Sequence, residues 1–133
     1  MTRKNDWPAL LANYLLNTRK KPFQWGENDC CLFAANAIIA MGGDDVASDV
    51  RGRYKTATGA ARVLKRLGVR DMVELLSQRL GEPDGKICRG SIVVVDCNGD
   101  QVVGIYYDKP WALTETGLTA LPTSSIIQSW SLN

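Results

Sequence analysis

The chain has 133 residues, 45% of them apolar and 23% charged, which fits one compact domain and excludes both a disordered segment and a second large domain. Sixteen Lys and Arg against fourteen Asp and Glu give a net charge of +2, too balanced to indicate nucleic acid or anionic lipid as a partner. The most decisive count is zero: with no histidine, the chain cannot form a self-contained Ser-His or Cys-His hydrolase.

Met1-Thr2-Arg3-Lys4-Asn5-Asp6 leads into Trp7-Pro8 without a signal-peptide core, and no apolar run reaches the roughly 18 residues of a membrane span. Synthesis in the cytoplasm is therefore expected, with Cys30, Cys31, Cys88 and Cys97 as free thiols. Asp6 is placed to cap a first helix with Pro8 in its first turn. Leu11, Tyr14, Leu15 and Thr18 follow one face before Lys20-Lys21-Pro22 stops it. A loop, Phe23-Gln24-Trp25-Gly26-Glu27-Asn28-Asp29, opens into a run from Cys30 to Met41 whose one strongly polar residue is Asn36. That run predicts a largely buried central helix ended by Gly42-Gly43.

Asp44 to Tyr54 reads as a connector carrying Arg51, Gly52 and Arg53. A helix is predicted from about Thr58 to Leu67, with Arg62, Lys65 and Arg66 on its solvent face. These charges, with Arg51, Arg53 and Lys55 before them, are better explained as a solvated face than as a phosphate-binding surface, because aromatics do not interleave with them except at Tyr54. Asp71 and Glu74 form a capping-box-like start for a further helix with Met72, Leu75, Leu76 and Leu80 as its apolar face and Gly81 as its stop.

At Pro83-Asp84-Gly85 the period changes. Ile92-Val93-Val94-Val95 and Val102 to Tyr107, separated by Asn98-Gly99-Asp100, predict an antiparallel hairpin. Short strands follow at Trp111 to Glu115 and Gly117 to Leu121. Ile126 to Trp130 either closes the sheet or forms a final turn. Trp111 and Trp130 can serve core or contact, and the segment around Trp130 is a candidate docking element, with core closure the better reading. Helices over about 1–82 followed by strands over about 83–133 predict a single α+β domain, N-terminal helices packed on a C-terminal antiparallel sheet.

Cys30 carries the most information. At a helix N-terminus a thiol faces unpaired backbone N–H groups and the positive end of the dipole, which favour thiolate and activate a nucleophile. The plain reading, a small buried hydrophobe, outweighs it, since cysteine is among the most buried residue types. Metal binding is a weak match: Cys30 and Cys31 are adjacent and Cys88 and Cys97 isolated, roughly 30 Å apart if the intervening strand runs straight. No cofactor or metal is expected.

Pro22-Phe23-Gln24-Trp25-Gly26, Asp29-Cys30, Arg89-Gly90-Ser91-Ile92-Val93 and Val103-Gly104-Ile105-Tyr106 together resemble the papain-like, NlpC-type cell-wall peptidases, and more closely a small branch found in tailed phages and prophages. The resemblance covers most of the chain. It implies a papain-like fold with Cys30 in the nucleophile's place, and Ser91 where the family carries an acid. The family's histidine base falls on Val102, and its orienting residue near Thr114 or Glu115. Trp25, Asp29, Val102 and Tyr106 are the expected groove or contact residues, with Glu115 a substitute acid or base.

Amide cleavage requires a base for the nucleophile and an acid for the leaving amine, and valine supplies neither. The expected function is thus a non-catalytic structural or assembly component of a tailed-phage or prophage tail, at the tail tip. Its partners would be other tail proteins, and its location the host cytoplasm during assembly and then the virion tail. The alternative is a peptidoglycan-directed cysteine endopeptidase or amidase in which Cys30 works with a non-histidine or partner-supplied base.

Overall fold

The structure, a computed structural model, describes residues 3–132. Four helices precede five strands: α1 (Trp7–Thr18), α2 (Cys30–Ala40), α3 (Ala57–Arg66), α4 (Met72–Leu80), β1 (Ile92–Cys97), β2 (Asp100–Tyr106), β3 (Pro110–Thr114), β4 (Gly117–Ala120) and β5 (Ile126–Trp130). The strands form one antiparallel sheet in the order β4-β3-β2-β1-β5. The α+β class and the order of helices and strands agree with the sequence pattern.

Local chemistry explains most boundaries. The side chains of Asp29, Thr56 and Asp71 accept from the backbone N–H of Leu32, Gly59 and Glu74, capping α2, α3 and α4. Asp6 occupies the cap position of α1 but makes no side-chain cap bond, so Pro8 alone marks that start. The Glu74 carboxylate completes no capping box; it turns to Arg70 instead. Asn98 and Gly99 both have positive φ, 54° and 91°, the left-handed pair that lets a two-residue turn match the twist of β1 and β2.

Helix α2 is apolar nearly all round because it is enclosed nearly all round. Cys31, Leu32, Phe33, Ala34, Ala35, Ala37 and Ile38 are all buried among Leu11 of α1, Leu75 of α4 and Ile92, Ile105 and Leu113 of the sheet. Phe33 stacks on Tyr14 with ring centroids 5.7 Å apart. Strand alternation divides the sheet. Val94, Val103, Ile105 and Leu113 join the helix-side core, while Val93, Val95 and Ala112 form a smaller cluster with Val102 and Tyr106 packed against it.

The final segment closes the sheet rather than forming a turn: β5 pairs with β1, and Trp130 is 3% exposed with its Nε1 donating to Gly81 O at 2.8 Å. Cys88 precedes a turn through Gly90 and not a straight strand, so the straight-run spacing to Cys97 does not apply. No helix among the described residues is long and apolar enough to cross a membrane.

Candidate functional site

The loop before α2 is held from below by one carboxylate. Asp29 is fully buried. Its Oδ1 accepts from Leu32 N at 3.0 Å, and its Oδ2 accepts from Gly26 N at 2.9 Å and from the Tyr54 hydroxyl at 2.6 Å. Gly26, at φ 84°, lies so close to the connector that a Cβ would come within 2.1 Å of Tyr54 O, and its own carbonyl accepts from Gly52 N at 2.8 Å. Burial and the bond to Asp29 hold the Tyr54 phenol well above its ordinary pKa, so it stays a donor. The connector is fixed in turn by Arg51 on Asp45 and by Arg79, which donates two bonds to Asp49 at 2.8 and 2.9 Å.

Above this support Cys30 opens onto a groove of about 240 Å³. Trp25 stands at one side, set by edge-on contacts with Phe23 at 5.0 Å and Tyr54 at 6.4 Å. Ala57, Ala60, Ala61 and Leu64 form the α3 wall; their i, i+3, i+4, i+7 spacing puts them on one face, and the alanines keep the wall low. Met72 and Val73 of α4 and Val103 of β2 add apolar surface, Val102 of β2 lies alongside, and Arg70, Asp71 and Gln101 are the polar members of the lining.

Of the two readings of Cys30, the electrostatics favour the plain one over an activated thiolate. Its thiol is pushed up to about 11, first by burial and then by the negative charge of Asp29, and the backbone N–H groups of Cys30 and Cys31 pull the other way without prevailing. At neutral pH Cys30 is a protonated thiol. Cys31 beneath it is pushed higher still by deeper burial.

The remaining sequence candidates separate. Trp25 lines the groove with Cys30, and Val102 lies beside it on β2. Asp29 does not; it is the buried support described above. The Val102 side chain packs across from Val95, on the sheet face away from the helices, while Val103 faces the core. Tyr106 lies on that outer side as well, and its backbone pairs with Gly90 and Ser91. Glu115 is exposed in the turn between β3 and β4 and does not line the groove, so it has no place as a substitute acid or base there.

Sequence reasoning missed the α3 wall and Asp71. Ala57, Ala60 and Ala61 carry no chemical signal, and Asp71 is legible only as a cap. Among the described residues Asp71 is the single carboxylate on the groove lining, and its Oδ1 is engaged by Glu74 N at 2.8 Å. No group of three or more Cys, Asp or Glu side chains among the described residues is arranged to hold a metal.

A family model described as a domain of unknown function, DUF6950, matches residues 2–132. No curated protein and no solved structure matches the chain.

Proposed function

The chain belongs to the DUF6950 family, and from that premise we propose that it is a non-catalytic structural or assembly component of a tailed-phage or prophage tail, at the tail tip. On this reading it is built on a papain-like, NlpC-type fold whose cleft has become a contact surface. The observation that carries the non-catalytic half is the Cys30 groove: a neutral thiol in a mostly apolar lining, whose polar members are Arg70, Asp71 and Gln101, without the imidazole that would take up and return a proton. The phage context rests on the resemblance of the Phe23–Cys30, Arg89–Val93 and Val103–Tyr106 segments. The helix-first order and the packing of α2 on the sheet support the fold part of this reading alone.

A tagged chain expressed with its phage or prophage is expected to sediment with tails or tail intermediates, in the host cytoplasm first and then in the particle. Recovery solely as a free monomer while tails assemble normally overturns the assembly reading. The alternative, a peptidoglycan-directed endopeptidase or amidase with Cys30 as nucleophile, has one observation in its favour, the Asp71 carboxylate on the groove lining. Release of stem peptides from cell-wall fragments, abolished by Cys30→Ser and by Asp71→Asn, would establish it instead.

A further inference from the structure

A second concavity of about 250 Å³ lies between α1 and the sheet and shares no lining residue with the Cys30 groove. Its α1 wall is Ala12, Leu15, Leu16 and Arg19, spaced i, i+3, i+4 and i+7 along one helix face. This stripe adjoins the buried Leu11, Leu15 and Thr18 stripe, yet Leu16 is 54% exposed. Tyr107, Trp111 and Leu118 form the facing wall. Aliphatic and aromatic side chains arranged around a concavity are the usual seat of an interface anchor.

The rim is cationic. Arg19 is exposed and makes no side-chain hydrogen bond or ion pair among the described residues. Lys109 Nζ stands 5.6 Å from the Trp111 ring centroid, and the Arg89 guanidinium lies 4.8 Å from that of Tyr107. The one carboxylate on the lining, Asp108, is turned onto Trp111 Nε1 at 2.8 Å. Three cations against that engaged carboxylate make the patch complementary to an acidic surface and repulsive to a second copy of itself.

We infer that this groove docks an acidic, amphipathic segment of a partner protein. Leucine-like or aromatic side chains enter between Leu16 and Trp111, and flanking carboxylates meet Arg19 and Lys109. The inference does not depend on what the Cys30 groove does.

The four tryptophans give four indole N–H signals, of which Trp111 reports on this groove and Trp25 on the other. The isotope-labelled full chain is titrated with three probes: a synthetic peptide of leucine and glutamate in helical amphipathic order, its counterpart with lysine for glutamate, and phosphatidylglycerol vesicles. The expected result is a saturable shift of Trp111 with the glutamate peptide while Trp25 stays still, and none with the lysine peptide. Arg19→Glu combined with Lys109→Glu, both at exposed sites, is expected to weaken the glutamate peptide at least about tenfold and to admit the lysine peptide. An unmoved Trp111, equal binding of both peptides, a preference for the vesicles, or a Trp111 shift produced by protein concentration alone would each overturn the proposal.

Discussion

Beneath the first turn of α2 a buried carboxylate answers three hydrogen-bond donors, whereas one residue further on a thiol opens onto aliphatic side chains. The two neighbours form the Asp-Cys step that resembles a peptidase nucleophile, yet the structure uses them differently. Asp29 is explained by folding: it caps α2, closes the Gly26 turn and anchors Tyr54 from the connector. Cys30 is explained by packing at a groove edge, and the same Asp29 charge that organises the loop works against thiolate formation. The acidic half of the nucleophile-like motif is thus structural.

The largest expected effect comes from the lower region. Asp29→Ala leaves the Gly26 and Leu32 N–H groups and the Tyr54 hydroxyl without their acceptor in a buried site, a loss of about 3–5 kcal/mol in urea unfolding. Tyr54→Phe removes one charge-assisted donor and is expected to cost about 1.5–3 kcal/mol. An effect near zero for either substitution would dissolve the contrast between support and groove.

Alkaline pH probes both regions together. Cys30, Cys31, Tyr14 and Tyr54 all keep their protons in the fold at pH values where the unfolded chain releases them. Folding therefore binds protons there. The thiol contribution to stability is fully present below the ordinary thiol pKa of about 8.5, and that of Cys30 is lost as pH rises to about 11. Urea midpoints are expected to fall steadily across that window, and a flat profile would contradict the burial assigned to these groups. The smallest effect is that of Cys30→Ser, within about 1 kcal/mol, because the site is partly open.

Much of the fold was legible in the residues. The Asn98-Gly99 turn, the Gly-terminated helices, the Asp71 cap and the apolar run of α2 each act locally, so pattern and structure agree, whereas Asp29, expected in the groove, proved to be a buried cap. The site was legible in part. Trp25 and Cys30 do meet at one groove, with Val102 alongside but its side chain on the other sheet face, and the partners that define the site's character are distant in sequence: Tyr54 reaches Asp29 across 25 positions. The helix position of Cys30 suggests thiolate stabilisation, and burial works against it. That position is a local feature, whereas the burial depends on how the rest of the chain packs around it. The open stripe on α1 was likewise invisible, since nothing in the spacing of Ala12, Leu15, Leu16 and Arg19 says which neighbours stop short of covering it.

The central claim, that Cys30 is a resting thiol in an inert groove, is tested most directly by its alkylation rate with iodoacetamide as a function of pH, resolved from Cys88 by peptide mass spectrometry. The account predicts labelling at neutral pH slower than an unhindered thiol and a rate still rising towards pH of about 11. Rapid labelling that has already levelled off near neutral pH would mean an activated thiolate, and would contradict it.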